Sequence, residues 1–276
     1  MHKHNQKQSR MVGVAYNVFN GEELLEYSIN SIREYVDFIV VIGQEVSNYG
    51  EKNEHLRETL HRLKNLNKID LIHWYSPKLE YDSDGNIKVD NGVGNEQKKR
   101  QIGLEICRNN GCTIFSSMDC DELYIGDEYA NALSDFIHGG YDSSFCQMKT
   151  FYKHPNWEVH PPETYYVPLF YYLHKDTKFT FEFVYPYPVE IDPSRRIKAG
   201  YSRIYLRNEI QMYHYSYVRK DMRSKVSNSS AHFSVEEQDK VIKHYNDATD
   251  IKKGALFLNN QKFNLVECEN IFNIKL

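Results

Sequence analysis

Uninterrupted apolar runs, separated by stretches long enough for helices, limit what this chain can fold into more than any other feature. Residues 11–17 make the first run, Phe38-Ile39-Val40-Val41-Ile42-Gly43 the second, residues 69–74 a third and Thr113-Ile114-Phe115 a fourth. Runs without a polar face are strands covered on both sides. Between the first two, Leu24, Leu25, Tyr27, Ile29 and Ile32 recur at helical spacing behind Glu22 and Glu23, acidic residues that suit a helix start. Residues 52–65 and 95–109 read as further helices. Strands alternating with helices predict a mostly parallel, Rossmann-like sheet with right-handed crossovers, and ligands collect at the carboxyl ends of such strands.

After residue 140 the pattern changes. Residues 144–152, 165–174, 180–185 and 212–217 read as strands joined by loops that contain proline. This predicts an antiparallel, aromatic-rich half lying over the first. Aromatic content is the unusual part of the composition, with 22 Tyr and 14 Phe concentrated between Phe145 and Tyr217. An apolar ring with a polar tip suits a core edge or a sugar-binding cleft. A net charge of −4 argues against a general nucleic-acid binder, which would carry a basic face. Five cysteines, an odd number without paired metal spacing, point to a reducing, cytoplasmic compartment. No apolar stretch approaches a membrane span, so any membrane contact is expected to be peripheral. Residues 1–10 are polar and read as a disordered tail.

The fourth run delivers carboxylates. It continues through Ser116, Ser117 and Met118 into Asp119-Cys120-Asp121-Glu122. On a continuing strand Asp119 and Asp121 would point the same way, with Cys120 turned inward. Two adjacent carboxylates repel unless a cation or a hydrogen-bond network holds them, and a hard divalent ion shared with substrate phosphates is a usual solution. The preceding helix carries Glu96, Lys99 or Arg100, and Gly103 on one side. It leads directly into the carboxylate strand, which places its basic groups in the same half of the sheet. Gly103 in mid-helix costs about 1 kcal/mol against Ala and predicts close backbone packing. A calcium-loop reading of Asp82-Ser83-Asp84-Gly85 fails for want of an acidic residue at the closing position.

These segments together resemble nucleotide-sugar-dependent glycosyltransferases of the GT-A fold, the family 2 type found in bacteria and viruses. The resemblance is carried by residues 12–23, 39–43, 95–104 and 117–122. Asp192-Pro193-Ser194-Arg195-Arg196 and His214-Tyr215-Ser216-Tyr217-Val218-Arg219-Lys220-Asp221 also look like elements of one bacterial subgroup. It implies a single domain over 11–276: a nucleotide-sugar half (11–125), an acceptor half (126–230) and a C-terminal helical segment (231–276). The implied donor is a nucleoside diphosphate sugar, UDP-linked, and the implied acceptor a glycan or other hydroxyl. Ala15, Tyr16, Asn17, Gln44 and Glu45 would flank base and ribose. Asp119 and Asp121 would hold Mn²⁺ or Mg²⁺ on the diphosphate, completed by His214, while Glu96, Lys99, Arg100, Arg219 and Lys220 attend the phosphates. An inverting transfer is the expectation and calls for a base, Glu163 or Asp192. A catalytically silent sugar-nucleotide-binding module is one alternative. A nucleotidyltransferase is another, although Asn17-Val18-Phe19-Asn20-Gly21 is not its Gly-rich phosphate loop.

Overall fold

The structure, a computed structural model, describes residues 10–85, 87, 91–229 and 234–276. All but the last residue of the predicted tail lies outside the described residues, as do 86 and 88–90 of the predicted loop 81–94. The fold is mixed α/β, a large central sheet flanked by helices. Strands β1 (Val12–Val18), β2 (Phe38–Gly43), β3 (Leu71–Trp74) and β4 (Ile114–Asp119) are parallel, in the order β3-β2-β1-β4. The chain steps outward from β1 through β2 to β3, then returns to the other side of β1. That reversal opens a crevice at the carboxyl ends of β1 and β4.

The residues of β1 explain the two layers. Val12, Val14, Tyr16 and Val18 face helices α1 (Glu22–Ile32) and α2 (Leu56–Asn65), where they join Leu25, Ile29, Leu56, Leu60 and Leu63. The alternate residues Gly13 and Ala15 face helix α3 (Asn91–Asn109), which starts four residues earlier than predicted. They are small because α3 lies close. A methyl group on Gly103 would sit 2.5 Å from the Ala15 Cβ, and one on Gly13 2.6 Å from the Cys112 Sγ. Asn17, next on the same face, therefore emerges beside the polar side chains of α3.

The second half is mixed rather than antiparallel. After β5 (Glu122–Leu123) and α4 (Gly126–Gly139) comes β6 (Ser143–Tyr152), which runs antiparallel to β7 (Trp157–His160) and β8 (Tyr166–Tyr172). It runs parallel to β9 (Ser202–Ile204) and β10 (Gln211–Tyr217). Strand β8 also pairs with β4, which welds the halves into one sheet of 12 strands among the described residues. Residues 180–185 form no strand; Phe179 makes a lone bridge to Ile197. The C-terminal segment is only partly helical. Helices α5 (Met222–Ser227) and α6 (Val235–Asp247) are followed by the hairpin β11 (Ala255–Leu256) and β12 (Lys262–Glu267), and β12 pairs with β7. All five cysteines are free thiols. No helix among the described residues is long and apolar enough to cross a membrane.

Candidate functional site

A cleft of about 390 Å³ lies at the ends of β1, β2 and β4, closed on its far side by β10 and the turn at 192–195. Five cations line it (Lys99, Arg100, Arg195, Arg219 and Lys225), and so do five carboxylates (Glu96, Asp119, Asp121, Glu122 and Asp192).

The carboxylate motif is arranged differently from a continuous strand. Strand β4 ends at Asp119, and Cys120 and Asp121 form a turn into β5. The turn breaks the alternation, and the two carboxylates go to different arginines. Asp119 accepts from Arg100 at 3.2 Å and from Arg195 at 2.5 Å. Asp121, buried, is paired with Arg219. Glu122, also buried, is paired with Arg195 and accepts from the Asp119 backbone N–H at 3.2 Å. Cys120 does point inward, as expected. Burial would raise both aspartates, but Arg100 and Arg195 outweigh it at Asp119, and Arg219 and His214 at Asp121, so both are held below the usual carboxylate range. At Glu122 burial prevails over Arg195 and pushes the carboxyl up to about 7.

Arg100 is 2 % exposed. It leaves α3 one turn before Gly103 and donates to Ser117 Oγ at 2.9 Å as well as to Asp119. Lys99, equally buried, pairs with Glu96 at 2.8 Å, and Glu96 accepts from Asn48 at 3.0 Å. Arg195 was visible in the sequence only as one of two guanidinium groups in a turn. Its backbone is fixed by the Asp192 cap, whose carboxylate accepts from Ser194 N at 2.8 Å, and by Tyr171 Oη donating to its carbonyl at 3.0 Å. Arg195 Nη1 is buried and lacks a partner among the described residues.

Of the residues expected to flank a base and ribose, Asn17 and Gln44 reach the cleft. Gln44 Nε2 donates to Val46 O at 2.7 Å and to Asn48 Oδ1 at 2.9 Å, which fixes the amide and leaves Oε1 buried and, among the described residues, unbonded. Asn17 likewise donates to Ser117 at 3.3 Å and keeps a buried Oδ1 with no partner among the described residues. The structure does not bring the others to this cleft. Ala15 is packed under Gly103, and the Tyr16 hydroxyl accepts from Ser28 at 3.0 Å on the opposite face. Glu45 points away and is clasped by Arg57 at 2.6 and 2.8 Å. Lys220 is exposed beside a neighbouring surface groove, because the chain turns after β10 before α5 begins. Glu163 accepts from Thr150 behind the cleft wall, whereas Asp192 lines the cleft. Lys225, a residue the motif reading passed over, faces in.

His214 stands across from Glu122 in the β5–β10 pairing, and Tyr215 N donates to the Asp121 carbonyl at 2.9 Å. This brings the imidazole next to the Asp121 carboxylate. Its Nδ1 is buried without a partner among the described residues, and burial lowers its pKa despite Asp121 and Glu163. Among the described residues no three His, Cys, Asp or Glu side chains converge as a complete metal centre. Asp121 with His214 is a two-ligand set of the kind that substrate phosphates and water complete around a hard divalent ion.

No family model matches this chain, and no curated protein matches it. Several solved structures are similar. S. aureus TarS is 12 % identical over 86 % of this chain and 43 % of that one, with a TM-score of 0.43. TarS 1–349 in complex with UDP is 11 % identical over 86 % and 71 %, with a TM-score of 0.43. GalNAc-T7 with UDP, GalNAc and Mn²⁺ is 15 % identical over 51 % and 24 %, with a TM-score of 0.35. The chain thus spans less than half the length of the longer TarS chain. Likeness at this distance carries no argument about function.

Proposed function

We propose that the cleft binds a nucleoside diphosphate sugar and transfers the sugar to a hydroxyl of a glycan or other acceptor. The observation that carries this reading is the set of unsatisfied polar atoms around the cleft. Among the described residues, Asn17 Oδ1 and Gln44 Oε1 are unbonded acceptors, and Arg195 Nη1 and His214 Nδ1 are unbonded guanidinium and ring nitrogens; all four belong to side chains that line the cleft. Leaving buried polar atoms unpaired costs about 1–3 kcal/mol each. A ligand that carries both N–H or hydroxyl donors and oxyanions relieves both kinds. The base is taken to be uracil, whose imide N–H suits the Gln44 carbonyl.

Mn²⁺ or Mg²⁺ would be held by Asp121, released from its single arginine, and His214, while Asp119 stays with its two arginines. Such an ion neutralises charge on the departing diphosphate. The residues do the rest. The acceptor oxygen attacks the anomeric carbon, and the bond from that carbon to the β-phosphate oxygen breaks. Its electron pair stays on the nucleoside diphosphate, and the hydroxyl proton passes to a base. Asp192 is the better placed of the two expected bases, because it lines the cleft and Glu163 does not. Tyr165 and Tyr166, also in the wall, offer faces for a sugar ring. An inverting course follows from using a base in this way.

A panel of nucleotide sugars assayed for hydrolysis and transfer, with Mn²⁺ and with EDTA, tests the reading. Release of nucleoside diphosphate from one donor, lost in EDTA, is the expected result. Absence of binding by every donor with metal present would overturn it. Binding without turnover would instead favour the silent module.

A further inference from the structure

Four of the five cations lining the cleft already have a carboxylate: Lys99 has Glu96, Arg100 has Asp119, Arg195 has Asp119 and Glu122, and Arg219 has Asp121. Arg219 is further occupied by Asn20 Oδ1 at 3.0 Å and Ser216 O at 3.0 Å. Lys225 is the exception. Among the described residues its ammonium has no hydrogen-bond or ion-pair partner, although the residue is half-buried in the cleft wall. Burial, and then Arg219, lower its pKa, so its charge is held at a cost.

Its position is built. Asp221 caps α5 by accepting from Ser224 N at 2.9 Å, and Met222 and Val226 anchor the helix in the core beside Val241 and Tyr245. These anchors turn Lys225 toward Asp121 and Arg219 and leave Lys220, before the helix, on the outside. A half-buried ammonium with no partner among the described residues, next to a guanidinium already bonded to Asp121, Asn20 and Ser216, is a seat for an oxyanion.

We propose that Lys225 binds the phosphate oxygens of the donor's diphosphate and remains on them as the nucleoside diphosphate departs. This rests on the donor reading above and extends it to a residue outside the carboxylate motif. Paired cations compete with their own carboxylates for phosphate; Lys225 does not.

The test is calorimetric titration of the full chain, wild type and Lys225→Gln, with UDP, inorganic pyrophosphate and uridine in the presence of Mn²⁺. Thermal unfolding of both proteins monitors the fold, and Lys225→Arg serves as the conservative variant. The expected result is a loss of about ten- to a hundredfold for UDP and pyrophosphate in Lys225→Gln, from removal of one charge-assisted contact. Uridine binding and unfolding temperature stay the same, and Lys225→Arg recovers most of the loss. Equal UDP affinity in wild type and Lys225→Gln overturns the Lys225 assignment while leaving the donor reading standing. An equal loss for uridine also overturns it, since that marks a merely structural role. If wild type binds neither UDP nor pyrophosphate, the donor reading fails first and Lys225 with it.

Discussion

At the scale of single residues, the carboxylates of this cleft are held by guanidinium groups arriving from distant parts of the chain. Arg195 touches two of them at once, so removing it leaves Glu122 buried without its cation and Asp119 with only Arg100. Breaking a buried ion pair from one side costs about 3–5 kcal/mol. Arg195→Ala is therefore expected to lose stability in that range, read as a lowered urea midpoint at unchanged slope. A change below about 0.5 kcal/mol, the usual size at an unremarkable surface site, would show that the pairs do not organise the cleft. The carboxylate motif itself was legible from its place after an apolar run. Its geometry was not, because alternation applies only while the strand continues, and β4 stops at Asp119. Arg195 and Lys225 carry no local signal. One arginine in a Pro-Ser-Arg-Arg turn looks like the next, and only the folded chain shows that Lys225, not Lys220, turns inward.

At the scale of elements, the approach of α3 to β1 sets where Arg100 and Lys99 stand. Gly13, Ala15 and Gly103 permit that approach, and the sequence disclosed it in advance through a glycine in mid-helix. Gly103→Ala gains about 1 kcal/mol of helix propensity. It also places a methyl 2.5 Å from the Ala15 Cβ, and overpacking of this kind costs about 1–3 kcal/mol. A net fall in melting temperature is expected, with weaker donor binding because Arg100 shifts with the helix. A rise in melting temperature would mean that the interface gives way freely. The parallel strands were readable because burial on both faces writes itself as unbroken apolar runs. The second half was not, because the pairings of β6 with β8, β9 and β10 depend on segments up to 65 residues away, as between Tyr152 and Tyr217, and no local period records them.

At the scale of the whole molecule, one sheet passes through both halves, and the cleft takes side chains from each. A ligand seated there contacts the ends of β1, β2 and β4 together with β10 and α5. Ligand at a hundred times its dissociation constant stabilises a protein by about 2.7 kcal/mol. UDP with Mn²⁺ at that excess is expected to raise the unfolding temperature and to slow amide exchange in both β4 and β10. Protection confined to β1–β4 would show that the second half takes no part in donor binding.

The ion pairs around Asp119 and Asp121 also have a consequence for the order in which the chain is made. Arg195 lies 76 residues after Asp119, and Arg219 lies 98 residues after Asp121. A growing chain that has released β1 to β4 therefore carries these acids with only Arg100 and Lys99 to offset them. Like charges held close oppose compaction until the later arginines arrive. At about 5–20 residues per second, that interval lasts roughly 5–20 seconds. The ribosome thus delivers the cleft's negative charge well before most of the positive charge that closes it, and the cleft is among the last parts of the molecule to become whole.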